Sequence, residues 1–421
     1  MTTSPSSPAP RELGRRASFW VAAAVVAHTL WTSAAPACTY PLYAAMWHLT
    51  PTVTTGMFAV YPVTVVLALL LFGSLSDQVG RRLMILAGVA SSLLGVALFA
   101  VAPGVAWLYA GRALMGLGVG LSTGPATAAL VEFSSPGQQG RANVIATAAT
   151  ALGLGMATFA GGALIQYAPW PLHLNFVLLF VVLAVLLAFA WFLPRPATSA
   201  RAGLAHWRPG TVVVPRAILP VFITSATAVT AGYAMGALML ALGTQIARDL
   251  IGSGNAMVNG AALTLFAIVT ASTALVAKRL PGALAITLGG GVSVAALALL
   301  MLAASDRSLP LFLAASALLG AGYSLLFLGG LTLINARAPA HHRAGTLSAI
   351  YLIGYLLMGA IALSLGITAT HHGLATALAF GAPAIGALAV AAALLAIAGA
   401  VGANRKPARR AGPGRQVEVE T

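Results

Sequence analysis

The sequence predicts an all-α membrane protein, with twelve transmembrane helices in two pseudo-symmetric six-helix bundles. Three observations carry that prediction. Hydrophobic residues make up 59% of the 421 residues and charged residues only 7%, against about 25% charged in soluble domains. The apolar residues fall in runs long enough to cross a bilayer as helices, which takes about 20 residues each. The runs are rich in Leu, Ala, Val and Gly and lack the period-2 alternation of a barrel. Since lipid offers no partner to backbone N–H and C=O groups, helices are the remaining way across.

Taken in order, the first six runs cover 18–46, 52–74, 82–102, 106–132, 142–167 and 172–193. The second six cover 217–246, 256–277, 282–303, 309–336, 345–370 and 374–402. The first and seventh are long and carry Pro or Gly, which predicts that they bend or overshoot the bilayer. Residues 1–17 are polar and basic, and no small-residue cleavage site follows, so a retained first helix is expected over a cleaved signal peptide. Between the halves, 194–216 is rich in Pro, Arg and small residues and reads as a linker. The organisation is therefore a tail (1–17), a six-helix bundle (18–193), a linker (194–216), a second bundle (217–402) and a basic tail (403–421).

A net charge of +15 would suit nucleic acid if it lay on one face with interleaved aromatics. Instead the basic residues sit in short clusters between apolar runs, so no nucleic-acid partner is expected. Nineteen of the 22 Lys and Arg fall on one side of the predicted topology. Arg248 and Arg307 lie on the other, each beside an aspartate (Asp249, Asp306), and Arg112 lies within a span. The positive-inside bias then places both termini and the linker in the cytoplasm. Compact loops and high Ala and Gly content suit a bacterial inner membrane. The single cysteine, Cys38, leaves no internal disulfide framework and no cysteine zinc site, and reads as a packing residue.

An internal repeat supports two related halves. Ala110–Ser122 in the fourth span aligns without gaps on Ala314–Leu326 in the tenth, at an offset of 204. Gly116 and Gly118 fall on Gly320 and Gly322, and Arg112 falls on Ser316.

The motif with the most specific spacing is GSLSDQVGRR, Gly73 to Arg82, after the second span. Gly73 permits a close helix contact and Gly80 a tight turn into the third span. Asp77 accepts charge-assisted hydrogen bonds from nearby N–H groups or from Arg81. This stretch resembles the loop signature of the major facilitator superfamily: Gly, then Asp four residues on, then Gly-Arg-Arg (Gly80, Arg81, Arg82). The resemblance extends over 18–402. It implies a transporter whose halves rock about a central cavity, with this cluster latching them on the cytoplasmic side. Glu132 stands where the family often places a carboxylate partner for the cluster. The matching loop of the second half, VAKRLPGAL, keeps Lys278 and Arg279 but has no Asp, which leaves the latch to the first half.

YAGRALMGLGVG, Tyr109 to Gly120, resembles the family's fourth-helix Arg-Gly motif. Arg112 lies about 9 Å into that helix, where a guanidinium costs a few kcal/mol or more unless it meets water or a partner. No carboxylate is predicted at its depth. Carbonyls, neutral polar groups, water or an anionic part of a substrate are the partners left, and snorkelling to the outer interface is the alternative. Gly116, Gly118 and Gly120 read as helix-packing glycines. GLGMATFAGG in the fifth span resembles the family's antiporter signature at Gly153, Gly161 and Gly162. Ala157 and Thr158 replace its second Gly and its Pro, which weakens the antiport implication.

His28, in the first span, is the near-neutral titratable side chain placed deep in a span, and it is the candidate proton carrier. A neutral, hydrogen-bonded packing histidine is the alternative. Thr32, Tyr40, Tyr233 and Tyr323, with Gln245 and Asn335, are candidates to line a polar cavity. GLSTG, Gly120 to Gly124, matches a nucleophile elbow in letters only, because it reads as mid-helix rather than a strand-to-helix turn. With no paired catalytic carboxylates, metal-ligand cluster or phosphate loop, the chain is expected not to be an enzyme and to need no cofactor. The function expected is proton-coupled efflux of a small organic molecule by alternating access, driven by a proton gradient. Uptake of a small, possibly anionic nutrient is the second reading. The partners expected are a small-molecule substrate and the lipid bilayer, and a functional monomer is expected.

Overall fold

A computed structural model describes residues 12–73, 75–135, 138–194, 214–339 and 342–404. The linker beyond Pro194, up to 213, and the tail from 405 onward lie outside the described residues. Twelve membrane-length segments appear in order. The first is broken into Arg15–Ala34 and Tyr40–Trp47. Pro51–Phe72, Arg81–Ala100, Val105–Glu132, Gln139–Tyr167 and Leu174–Ala190 complete the first bundle. The second bundle opens with Leu219–Ala237, which passes through a π-helical turn, Leu238–Leu242, into Gly243–Asp249. Ala256–Ala277, Gly282–Ser305, Leu309–Arg337, Arg343–His372 and Leu374–Asn404 follow. Among the described residues, eleven helices are long and apolar enough to cross a bilayer, by length and composition alone. The sixth, with 17 residues, spans about 26 Å at 1.5 Å per residue and sits at the short end of the crossing range.

The first span is broken, and the seventh runs long and carries a π-helical turn. In the first span Pro36 has no N–H to give, so the helix stops at Ala34 and leaves carbonyls without helical partners. Polar groups from elsewhere collect them. Arg112 Nη1 donates to the Ser33 carbonyl at 2.9 Å, Asn175 Nδ2 to that of Ala35 at 3.0 Å, and Thr244 Oγ1 to that of Ala37 at 2.8 Å. Irregular backbone at membrane depth survives because protein surrounds it. The seventh span stays continuous over 34 residues, Arg216–Asp249, with its π turn in the interior and Pro220 in its first turn.

The repeat seen in sequence is also a packing repeat. A Cβ on Gly116 would strike Tyr61 and Thr64 of the second span, and one on Gly320 would strike Phe266 of the eighth. Gly118 lies against Ser92 of the third span just as Gly322 lies against Ser293 of the ninth. Small residues at these positions let backbones approach in the absence of a hydrophobic drive between helices in lipid. Large apolar side chains such as Leu94, Leu152 and Phe380 are exposed around the outside, the face a bilayer would cover.

The halves meet through the second and eleventh spans, the fifth and eighth, and the first and seventh. Among the described residues, hydrogen bonds between the halves all lie in the half of the spans away from the chain termini. Thr52 Oγ1 is 2.8 Å from Thr370 Oγ1 and donates to the Gly366 carbonyl. Thr158 Oγ1 is 2.8 Å from Thr264 Oγ1, and Arg248 Nη1 donates to the Pro41 carbonyl at 3.0 Å. The bundles are thus closed against each other on the side remote from the termini.

Candidate functional site

Three groups of side chains gather the residues singled out in sequence. The first lies on the termini side. Gly80, at φ +92°, makes the turn that joins the short helix Ser76–Val79 to the third span, a conformation that favours glycine. Arg81 then pairs with Glu132 at the end of the fourth span. Arg82 lies over the Trp191 ring at 5.7 Å. Asp77 belongs to the short helix, and its side chain lies outside the described residues. Gly73 is exposed, and a Cβ there would meet only the Leu69 carbonyl of its own helix. The Arg81–Glu132 pair joins two helices of one bundle and does not bridge the halves. Both partners are more than a third exposed, so its worth to stability is about 1 kcal/mol or less.

The second group is centred on Arg112, which is fully buried. Its Nη1 holds the Ser33 carbonyl, its Nε donates to the Met57 carbonyl at 3.3 Å, and its Cζ sits 4.7 Å over the Tyr61 ring and 5.8 Å from that of Phe58. Cation–π contact and charge-assisted bonds to carbonyls offset the desolvation of the guanidinium in part. Among the described residues, Nη2 and the buried Tyr40 hydroxyl meet no partner at full hydrogen-bond geometry, and the two groups lie beside each other. Thr32, next to Ser33, is a second buried hydroxyl without a hydrogen bond among the described residues. The arrangement sets buried polar groups around a positive charge with no carboxylate opposite it among the described residues: Glu132, Asp249 and Asp306 stand at helix ends.

His28 lies nearer the termini on the first span and is enclosed, with 2% of its surface exposed. Its Nδ1 contacts the Val25 carbonyl, and its Nε2 is 3.5 Å from Ser92 Oγ on the third span. The ring therefore packs inside the first bundle and does not touch the Arg112 group.

The third group is in the second bundle, where Tyr233 of the seventh span meets Tyr323 and Phe327 of the tenth and Tyr355 of the eleventh. Sequence reasoning had Tyr233 and Tyr323 and missed Phe327, Tyr351 and Tyr355, together with Tyr61 under Arg112. A signal for them was available. Tyr323 and Phe327, like Tyr351 and Tyr355, are four residues apart and share a helix face.

The glycines of the fifth span divide by role. Gly153 abuts the Ala27 carbonyl of the first span, and Gly161 faces Asn175. Gly162 and Gly260 form a close backbone approach between the halves, where a Cβ on either would lie within 3.2 Å of the other's Cα. Thr158, the residue that replaces the signature proline, supplies both a cross-half hydroxyl contact and the carbonyl that Gly260 touches.

Comparison with known proteins follows this geometry. The family model for the Major Facilitator Superfamily matches residues 20–363. A multidrug transporter of that superfamily, mfsC from Aspergillus fumigatus, is 32% identical over 155 residues, which are 37% of this chain and 29% of the relative's length. Among solved structures, a bacterial homologue of the human lysosomal transporter Spinster, inward-facing and unoccupied, superposes with a TM-score of 0.70 at 14% identity, over 93% of this chain and 97% of that one. The nucleoside transporter NupG gives 0.70 at 9% identity, over 91% and 99%. A peptide transporter gives 0.68 at 17%, over 92% and 94%. At these identities the likeness is one of fold.

Proposed function

The chain belongs to the Major Facilitator Superfamily of membrane transporters, and from that premise we propose that it exports a small organic molecule by alternating access at the expense of a proton gradient. The observation that carries the reading is the seam between the halves. It is built of hydroxyls, carbonyls and glycine contacts, with one guanidinium, that of Arg248, which is half-exposed and keeps Asp249 of its own half as its ion-pair partner, and no ion pair crosses it among the described residues. Such a seam separates without leaving a buried charge unpaired, so the closed and open states lie close in free energy. A differential affinity of substrate or proton for the two states then shifts their populations.

The basic clusters support an orientation with both termini in the cytoplasm of a bacterial cell. The seam then closes the external side, and this is the inward-facing state. In the outward-facing state Asp77, Arg81 and Glu132 close the cytoplasmic side. Arg81 and Glu132 are paired within one bundle here, ready to exchange partners as the halves approach. The local match to a multidrug transporter supports export as the direction. His28, the imidazole set deep in the first span, is the candidate intramembrane proton carrier, and it would have to leave its enclosure against Ser92 to exchange a proton. The working unit is the monomer.

The test is the accumulation of cationic, neutral and anionic compounds in pump-deficient cells that express the protein, with and without a protonophore, beside His28→Ala. Export predicts lower accumulation that the protonophore restores, and loss of the effect in His28→Ala. Raised accumulation would instead establish uptake, and the Thr158 departure from the antiporter signature would be its residue-level correlate. A protonophore-insensitive effect would remove the proton gradient from the account.

A further inference from the structure

Six aromatic side chains from four spans of the second bundle converge at mid-span. The Tyr233 ring lies 4.8 Å from Tyr355, 5.5 Å from Phe327 and 6.3 Å from Tyr323, centroid to centroid. Tyr323 and Phe327 are stacked at 5.9 Å with their planes 13° apart. Phe266 closes one end, edge-on to Tyr323 at 5.6 Å, and Tyr351 lies 6.4 Å from Phe327 at the other. Tyr233 and Phe266 are buried, and the other four keep part of their surface.

The cluster lies beside the other bundle, since Tyr355 is close enough to Tyr61 of the second span to interact with it electrostatically. The seventh span, on which the rings pack, is the most enclosed of the membrane helices. Tyr355 is one turn from Gly359, which packs on Ala59 and Pro62 of the first bundle, so the cluster reaches the seam next to Tyr61 and its bound guanidinium. Phe327 and Tyr351 lie one turn closer to the termini, on the side where the described residues form no cross-half hydrogen bond. A core that only needed filling would use aliphatic side chains or Phe. Four phenols at membrane depth each carry a hydroxyl that must find a partner.

We propose that this cluster is the ring-binding subsite of the cavity, and that the transported molecule is a planar aromatic compound, neutral or anionic. The inference rests on the transporter reading for the word transported, and on geometry for the subsite. Stacked and tilted rings offer flat faces and edges to another ring. Aromatic faces would also attract a cation, but Arg112, already on the Tyr61 face, is an unneutralised charge in the same low-dielectric region. It favours an anion or a neutral molecule over a cation.

The experiment uses the full-length protein in lipid nanodiscs and measures binding calorimetrically. The probes are 2-naphthol, 2-naphthoate, their saturated decahydro counterparts and a 2-naphthyl trimethylammonium salt. The naphthyl compounds without positive charge are expected to bind about tenfold or more tightly than both the saturated pair and the cation. Tyr323→Leu should weaken naphthoate binding about tenfold, while Tyr323→Phe, which keeps the ring, should stay within about threefold. Gel filtration confirms that both variants fold. Absence of binding by either uncharged or anionic naphthyl probe, equal binding of the saturated compounds, tightest binding of the cation, or an unaffected Tyr323→Leu would each overturn the proposal. Ring-selective binding with no flux of any compound would break the transporter reading and leave the subsite standing.

Discussion

Gly260→Val should abolish transport while leaving the protein folded and in the membrane. A Cβ at Gly260 would lie 2.3 Å from the Thr158 carbonyl, and one at Gly162 would lie 2.7 Å from the Ala256 carbonyl. Both obstacles are backbone of the opposite half, which has no rotamer to change. Overpacking of this kind costs about 1–3 kcal/mol and sometimes more. Here that cost falls only on the state in which the halves touch, because within its own bundle Gly260 faces the gap. A penalty of about 3 kcal/mol lowers the closed population by about 150-fold. Flux should fall by a similar factor, and a cysteine at Thr370 should become reactive to an impermeant maleimide from the remote side. Gly155→Ala is the control. Its Cβ would meet only the Thr264 methyl at 3.7 Å, an ordinary contact, and its flux should be unchanged. Normal flux in Gly260→Val would mean that the fifth and eighth spans need not close on each other during transport.

Arg112→Met should reduce flux at least tenfold while moving the melting temperature by only a few degrees. The guanidinium bonds two carbonyls, and charge-assisted bonds of that sort contribute about 1.5–3 kcal/mol each. Against this stands the desolvation of a full charge, several kcal/mol per buried ion, with no carboxylate to compensate it. Methionine restores most of the volume and removes the desolvation, at the cost of an unpartnered Ser33 carbonyl. The opposing effects are of similar size, so net stability changes little. Function does not have that compensation, because no other cation lies at this depth among the described residues. Arg112→Lys should be nearly as impaired, since an ammonium cannot reproduce the planar fork that reaches two helices. A large fall in melting temperature with flux preserved in the folded fraction would make Arg112 a structural pin and nothing more.

Much of this architecture is legible in the sequence because lipid imposes one solution on long apolar runs. The twelve spans, the break in the first and the glycine repeat at the fourth and tenth follow from composition, proline and spacing, whereas the π turn of the seventh does not. The site is less legible, for a physical reason. A soluble pocket announces itself by polar residues in an apolar context, whereas in a span the cavity face and the packed face share small and aromatic residues. Arg112 stands out because a charge in hydrocarbon is costly wherever it points. That it would hold the carbonyl freed by Pro36, 76 residues earlier, depends on which way two helices turn toward each other. Tyr351 and Tyr355 are ordinary span residues in the sequence, and only the packing of the eleventh span sets Tyr355 against Tyr233 and Tyr351 against Phe327. His28 is the converse case: its position in the span was evident, and its enclosure against Ser92 was not.

The central claim is that the remote seam must open and close in each transport cycle. The direct measurement is flux through Thr52→Cys/Thr370→Cys in a Cys38→Ser background, reconstituted in liposomes with the compound whose accumulation the protein alters. The two hydroxyls are 2.8 Å apart, so the replacing thiols lie within reach of a disulfide. Oxidation is expected to cross-link them and stop flux, and reduction to restore it. Fully cross-linked protein that transports at the reduced rate of turnover or faster would contradict alternating access at this seam.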